Sequence, residues 1–145
     1  MSVLHVLFKV AGAEYALPYS DVLHLETFAS ATRVPGAAAH VTGLMQVRGR
    51  VLPVIDLRLR FGLEPHQVTA DSRVVVVQSG RRAIALLADS AREVVKIDPQ
   101  DYRPAPEMVA DGGHGFVRSV ARAGQRLVML IDLPRVIGEE PSDGQ

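Results

Sequence analysis

Two aspartates at matching positions in the chain could supply a pair of carboxylates. Asp56 and Asp132 each follow an apolar run, and they stand 76 residues apart in two segments of similar sequence. Paired carboxylates can perform general acid and base chemistry. An aspartate between a strand and a helical turn can instead accept hydrogen bonds from the first N–H groups of that turn. Capping explains both residues, so we predict structural caps, with Asp56→Ala costing about 1 kcal/mol of stability.

The other residues that could do chemistry form no recognisable catalytic or metal-binding pattern. The sequence has no cysteine, which excludes thiolate metal ligands and disulfides. It also lacks a glycine-rich phosphate loop and the common hydrolase and metalloprotease motifs. The histidines are scattered at spacings unlike those of a metal-binding pair on one helix or strand: His5, His24, His40, His66 and His114. We therefore predict surface or half-buried histidines, no metal site, no cofactor and no enzyme activity.

Composition and charge narrow the class of protein further. The 16 Lys and Arg side chains balance 16 Asp and Glu, whereas a surface that binds nucleic acid carries clustered excess positive charge. With 48% hydrophobic residues, residues 1–145 are expected to form a single domain. The first twenty residues lack the pattern of a signal peptide, and no apolar run approaches the length of a membrane span. We expect a cytoplasmic protein with no nucleic-acid partner and no membrane insertion.

The elements that must position these residues are predicted to be strands. An extended segment would place Leu4, Val6, Phe8 and Val10 on one face and His5 and Lys9 on the other, which is the period of a half-buried strand. Three runs are apolar on both faces and predict strands covered on both sides: Val74–Val77, Ala83–Ala88 and Leu127–Ile131. A glycine between apolar runs predicts each of four hairpin turns: Gly12, Gly49, Gly80 and Gly124. Short strands at this spacing predict an all-β fold of the barrel or sandwich type.

Helices are predicted to be few and short. Asp56 precedes a predicted helix over Leu57–Phe61, and Asp132 precedes one over Leu133–Ile137. Both predicted helices end directly before a glycine, a usual position for the end of a helix. Residues 35–40 are a third candidate helix.

The first two helices belong to an internal repeat. Residues 51–62 align with residues 127–138, with Ile, Asp, Leu and Gly identical. The repeat predicts two similar β subdomains in sequence, about 3–62 and about 73–138, joined by a polar linker. Two segments outside the strands are predicted to be an ordered crossing with three prolines and a frayed tail: residues 98–106 and 139–145.

The most informative stretch of the sequence is the hairpin from Gly43 to Arg58. Pro53 has no N–H group to donate to a neighbouring strand, so the hairpin is predicted to lie at a sheet edge. Arg48 stands beside the turn at Gly49, where its side chain could bond polar groups of a partner. From the residues alone, a solvated arginine at a turn is the other interpretation.

This hairpin resembles the signature of the CheW family, the chemotaxis coupling proteins. Gly43 to Arg58 matches the family pattern G-x-x-x-L-R-G-x-x-x-P-φ-φ-D-L-R, with φ for an apolar residue and with Val47 in the place of leucine. Phe8 to Leu17 resembles the family's first two strands and the glycine turn between them. Arg103 to Glu107 matches its R-P-A-P-E crossing. The similarity runs from about Val3 to Gly138.

The resemblance implies two five-stranded β-barrel-like subdomains that share a hydrophobic core. It implies a non-catalytic adaptor that couples the cytoplasmic tips of methyl-accepting chemoreceptors to the regulatory domain of a CheA-type histidine kinase. That kinase domain has the same fold, so adaptor and kinase are expected to alternate in rings through pseudo-equivalent contacts. The chain is therefore expected in the cytoplasm, recruited to receptor arrays at the membrane.

Four positions carry over from the receptor-facing residues of the family. The resemblance implies that Val22 supplies an apolar contact and that Gly43 lets a receptor helix approach closely. It implies that Arg48 binds polar groups on the receptor. Val74 is a further candidate for the same groove between the subdomains. The kinase-binding surfaces are not assigned to individual residues.

Two other functions stay open, and a departure from the family pattern favours the first of them. The acidic residue usual two positions after Val22 is here His24, although Glu26 follows shortly after. A histidine at this place removes a negative charge and could create a pH-sensitive contact. The first alternative is a scaffold of the same fold that serves a kinase-independent or non-chemotaxis receptor system. The second is a small β-barrel that binds a ligand or nucleic acid, which salt-dependent binding of oligonucleotides would reveal.

Overall fold

Strands make up most of the computed structural model, which describes residues 1–106 and 115–138. Eleven strands lie in this part of the chain: β1 (Val3–Val10), β2 (Ala13–Pro18), β3 (Val22–Thr27), β4 (Val41–Val47), β5 (Arg50–Asp56), β6 (Arg73–Ser79), β7 (Arg82–Ala88), β8 (Ser90–Ile97), β9 (Arg103–Pro104), β10 (Val117–Ala123) and β11 (Arg126–Ile131). The short helices are α1 (Leu57–Arg60) and α2 (Leu133–Ile137), and 3-10 turns cover Tyr19–Asp21 and Pro99–Asp101. The all-β fold class with a few short helices is confirmed.

The strands form two sheets. Their order is β8-β1-β2-β11-β10-β9 in sheet 1 and β3-β6-β7-β5-β4 in sheet 2. Neighbours are antiparallel, except for the parallel pairs β2 with β11 and β5 with β7. Sheet 1 has six strands instead of five because Arg103–Pro104, within the predicted non-strand crossing, pairs with β10 over two residues.

The sheets do not follow the sequential division into residues 3–62 and 73–138. The N-terminal hairpin β1-β2 lies in sheet 1 beside β8 and β11, while β6 and β7 lie in sheet 2 beside β3 and β5. The cause is the parallel pairing, because a tight hairpin can join only antiparallel strands. Each repeated strand, β5 and β11, therefore takes its parallel neighbour from the other half of the chain.

The main apolar core is shared by both sheets and both helices. Its buried side chains include residues from five strands and the two helices: Phe8, Leu17, Ile55, Leu57, Ile84, Leu86, Ile131 and Val136. Burying one such side chain stabilises the fold by about 1.5–3 kcal/mol. Smaller clusters occupy each sheet, around Leu52 and Val76 in sheet 2 and around Leu7 and Val128 in sheet 1. Both sheets therefore pack as one body.

Three apolar runs were predicted to be strands covered on both faces, and two of them are. Every residue of Val74–Val77 and Ala83–Ala88 is buried, which fits the central places of β6 and β7 in sheet 2. The third prediction is wrong at its start, because Leu127 is exposed. Leu127 lies next to the turn at Gly124, at the end of its hairpin.

The four predicted hairpin turns are confirmed, whereas the prediction of a third helix is wrong. Residues 35–40 form two turns, at Pro35–Gly36 and Ala39–His40. Gly36 has a φ of 82°, which a right-handed helix does not allow. The carbonyl of His40 accepts a hydrogen bond from the N–H of Asp56 at 2.9 Å. The end of this segment is therefore hydrogen-bonded to β5, and the segment forms no helix.

The hairpin lies at a sheet edge as predicted, because β4 is the last strand of sheet 2, but Pro53 stands on the inner strand of the hairpin. Its strand, β5, lies inside sheet 2 between β7 and β4, and Pro53 faces Leu44 in the antiparallel pair. The parallel pairing with β7 covers only Val54–Asp56. Pro53 is tolerated because it lies just before the ladder in which its missing N–H would be needed.

Both aspartates cap their helices as predicted, but their environments differ. The carboxylate of Asp56 accepts hydrogen bonds from the N–H groups of Arg58 (2.9 Å), Leu59 (3.3 Å) and His66 (2.9 Å). Asp132 accepts one, from the N–H of Arg135 at 3.2 Å. Asp56 is 3% exposed. The two carboxylates thus serve the backbone and are not arranged as a reactive pair.

Replacing Asp56 by alanine is expected to cost about 2–3 kcal/mol, more than the single-cap value, because three N–H groups lose their acceptor at a buried place. Asp132→Ala is the matched control at the equivalent position of the repeat and is expected to cost about 1 kcal/mol. Urea unfolding of both variants measures the difference. Equal losses would show that the two additional hydrogen bonds and the deeper burial of Asp56 add nothing.

Some residues named in the predictions lie outside the described part of the chain, and two histidines lie deeper than predicted. Glu107, His114 and the tail 139–145 lie outside the described residues. Two histidines are more buried than predicted, since His5 and the side chain of His66 are both shielded from solvent. In residues 1–106 and 115–138, no helix is long and apolar enough to cross a membrane.

Candidate partner-binding site

Arg48 occupies an exposed turn between β4 and β5. Its φ is 51° and that of Gly49 is 83°, which is the backbone of a two-residue hairpin turn with two left-handed positions. The Arg48 side chain is 65% exposed, and its Nε donates a hydrogen bond to Oε2 of Glu26 at 2.9 Å. Its two terminal nitrogens bond no residue in the described part of the chain. Arg48 therefore keeps free donors at the surface.

The Arg48–Glu26 ion pair joins opposite edges of sheet 2. Glu26 belongs to edge strand β3, and Arg48 follows edge strand β4. A backbone bridge between Thr32 and Leu44 closes the same gap, so the sheet curls toward a barrel. The carboxylate that meets Arg48 comes from Glu26, two residues after His24. Sequence reasoning noted Glu26 but gave it no partner.

Gly43 is required by the chain's own backbone. It is buried on β4 with a φ of 153°. A Cβ built there would lie 2.1 Å from the carbonyl oxygen of Thr32, far inside any real contact. This is a role inside the chain, and the role of Gly43 in letting a receptor helix approach stays a prediction. Gly43 lets the segment at Thr32 cross β4 closely.

The two valines differ in accessibility. Val22 is half-buried at the start of β3, where it packs against the shared core. It lies on the same strand as Glu26, roughly 13 Å along it. Val74 is fully buried among the side chains of the sheet 2 cluster. A side chain with no exposed surface cannot touch a partner, so the prediction of Val74 as a receptor contact is wrong.

A groove runs between β4 and the segment that follows β3. It has a volume of about 580 Å³, and its lining includes Thr27, Ala31, Thr32, Leu44, Met45 and Val51. Val51 is 63% exposed and Leu25 of β3 is also exposed. Both lie within three residues of the Arg48–Glu26 pair along their strands. Sequence reasoning missed this groove because residues 27–32 carry no motif.

A second polar centre, around Asp89, ties the two sheets together. Arg58 donates two hydrogen bonds to the Asp89 carboxylate, from Nε at 2.9 Å and from a terminal nitrogen at 2.6 Å. The N–H of Ala11 and Nδ1 of His66 also contact it. Burial alone would raise the pKa of Asp89, but these hydrogen bonds outweigh it and hold the pKa below its usual range. Asp89 therefore stays ionised and fixes α1 to the first hairpin.

The match to a family model decides which family this is. A model described as the CheW-like domain matches residues 4–140. The chain belongs to the CheW-like family. The match covers both sheets and both helices, including the hairpin that carries Arg48.

Relatives and a solved structure agree with this family over the full length. The chemotaxis protein CheW of Bacillus subtilis is 30% identical, over 94% of this chain and 88% of the relative. The probable chemotaxis protein CheW of Rhizobium etli is 28% identical, over 95% of this chain and 89% of the relative. The crystal structure of the scaffolding protein TtCheW from Thermoanaerobacter tengcongensis superposes with a TM-score of 0.85 at 28% identity. It covers 99% of this chain and 93% of that protein.

These findings confirm the CheW-like resemblance that the hairpin Gly43–Arg58 carried. The fold class and the chemotaxis adaptor function that it implied are confirmed as well. Neither the same-fold scaffold outside chemotaxis nor the ligand or nucleic-acid binder receives support from these relatives. This CheW-like chain is a chemotaxis coupling adaptor.

Proposed function

We propose that this chain links the cytoplasmic tips of chemoreceptors to a CheA-type histidine kinase, in the cytoplasm at receptor arrays. The observation that carries the proposal is the exposed Arg48, held by Glu26 beside a groove on sheet 2. An adaptor needs such a preorganised contact for one partner and a separate surface for the other. The chain's net charge of +0 leaves local contacts to decide which partners bind.

The receptor is proposed to bind over the Arg48 turn and the groove. Arginine presents five N–H donors in a rigid fork, and the bond to Glu26 uses only the one on Nε. The remaining donors fit carboxylate or carbonyl oxygens on a helical receptor tip. Exposed Leu25 and Val51 and half-buried Val22 offer apolar contacts for the helix stripe. Gly43 supports this surface from within by holding Thr32 against β4.

The chain is proposed to have no catalytic activity. Ser72, His66 and Asp89 form a relay that resembles a hydrolase triad, with 2.7 Å from Ser72 Oγ to His66 Nε2 and 3.1 Å from His66 Nδ1 to Asp89. Ser72 is 1% exposed, and its Oγ also accepts a hydrogen bond from the N–H of Thr69. A substrate cannot reach this oxygen. The relay instead anchors the linker between α1 and β6.

The kinase is proposed to bind through its regulatory domain, in rings that alternate with this chain. Two curled sheets that share one core present different faces to two neighbours, as ring closure requires. A reconstituted assay of kinase autophosphorylation tests the proposal. Adding the chain to kinase and receptor is expected to change the rate. An unchanged rate, with receptor binding intact, would favour a kinase-independent scaffold.

A further inference from the structure

A cavity where the two sheets meet combines apolar walls with charged groups. It has a volume of about 300 Å³, and its apolar lining includes Leu17, Leu130, Ile131 and Leu133. Asp21, Tyr102 and Arg118 supply polar groups to the same cavity. It shares no lining residue with the groove beside Arg48. An apolar pocket with a few convergent polar groups is the usual form of a binding site.

Asp21 is the unusual member of this cavity. Its carboxylate forms no hydrogen bond or ion pair with any residue in 1–106 or 115–138. Partial burial raises its pKa. A carboxylate that is taken from water without a partner costs folding free energy. Such a cost at a cavity wall indicates a group that is kept for binding.

The other polar groups define the shape and the charge of the cavity mouth. The Tyr102 hydroxyl is held by Nε2 of the buried His5, so that wall is fixed. Burial raises the pKa of Tyr102, while the charge of Arg118 lowers it and that of Asp21 raises it. Both charges therefore act at the same hydroxyl. Asp21 and Arg118 nevertheless form no ion pair with each other.

We propose that the cavity receives an arginine side chain from a partner protein. The aliphatic stem would pack on exposed Pro134 and half-buried Pro18 at the cavity mouth, above the buried Leu17, Leu130 and Ile131. The guanidinium would pair with the Asp21 carboxylate. Charge complementarity selects a cation, because the carboxylate is the desolvated and unpaired group. Arginine fits better than lysine because its planar, weakly hydrated head pairs with a carboxylate through two hydrogen bonds. An acidic residue beside it on the partner would face Arg118.

A titration with a model of a peptide arginine tests this site directly. The probe is Nα-acetyl-L-arginine amide, added to methyl-labelled protein while NMR spectra are recorded. We expect shifts at the methyl groups of Leu17, Leu130 and Ile131, with a dissociation constant on the order of millimolar for so small a ligand. Nα-acetyl-L-citrulline amide has the same shape without the charge. Its affinity is expected to be lower by a factor of about ten or more.

Two variants of the cavity complete the test. Asp21→Asn is expected to weaken binding of the arginine probe about tenfold, while Arg118→Gln, which removes a cation, is expected to leave it unchanged or tighter. Asp21→Asn is also expected to keep or raise the melting temperature at pH 7, because it removes an unpaired carboxylate. Equal binding of both probes, shifts elsewhere, or an Asp21→Asn variant that binds normally or melts lower would overturn the proposal. None of these results would bear on the receptor site at Arg48.

Discussion

An Arg48→Glu variant is expected to bind a chemoreceptor cytoplasmic fragment on the order of 100-fold more weakly than the unaltered chain. The change removes the free donors at the β4–β5 turn and places a carboxylate beside Glu26. The two carboxylates would repel each other and any acidic receptor group. Titration calorimetry at about 100 mM salt, where exposed charges are partly screened, measures the loss.

A charge-swapped double variant is the control for this prediction. Combining Arg48→Glu with Glu26→Arg restores an ion pair across the gap but leaves no cation at the turn. Because an exposed ion pair contributes only about 0–1 kcal/mol, both variants are expected to remain folded. If Arg48 contacts the receptor, the double variant stays weak. Full recovery of binding would show that Arg48 acts only by closing the gap between β3 and β4.

Replacing Gly43 by alanine is expected to cost about 3 kcal/mol or more of folding free energy. The new Cβ would lie 2.1 Å from the Thr32 carbonyl oxygen and 2.7 Å from its carbon. Both atoms belong to the backbone, which cannot swing away as a flexible side chain can. The bridge between Thr32 and Leu44 would therefore break or shift. Urea unfolding, read as a lower midpoint at unchanged slope, measures the loss.

Gly36→Ala is the matched control, since Gly36 also has a positive φ, of 82°, but a Cβ there would meet no atom within 4 Å. It is expected to cost only the backbone strain of a left-handed residue, about 1–2 kcal/mol. The difference between the two variants isolates the steric clash with Thr32. Equal losses would contradict the close crossing at Gly43.

Features that depend on neighbouring residues could be predicted from the sequence. The turns at Gly12, Gly49, Gly80 and Gly124 follow from the need for positive φ between strands. The caps Asp56 and Asp132 follow from an oxygen acceptor placed just before a helical turn. The turns and the caps each depend on residues only a few positions apart. The local sequence pattern is therefore sufficient to predict them.

Features that depend on the pairing of distant strands could not be predicted from the sequence. The sequence repeat predicts two sequential units, but parallel pairing of β2 with β11 and of β5 with β7 exchanges strands between the halves. The apolar run Val74–Val77 predicts a covered strand, and only the family resemblance suggested Val74 as a surface contact. The reason for Gly43 is an atom of Thr32, eleven positions earlier in the chain. Contacts of this kind leave no periodic pattern in the sequence.

The polar centre at Asp89 was missed for a similar reason. Its contacts come from Ala11, Arg58 and His66, which lie in three separate segments. The linker that carries His66 is irregular and mostly exposed, and it reads as a simple connection. Spacing in the sequence gives no sign that one imidazole turns inward from it. Only the crossing of the chain between the sheets brings these groups together.

Co-sedimentation of the kinase with receptor-containing membrane vesicles tests the adaptor function most directly. A CheA-type kinase is expected to pellet with the vesicles efficiently when this chain is present, and the Arg48→Glu variant is expected to fail to recruit it. Both the chain and the kinase should appear in the same pellet. A kinase that pellets equally well without the chain, or that stays in the supernatant with it, would show that this chain does not couple kinase to receptor.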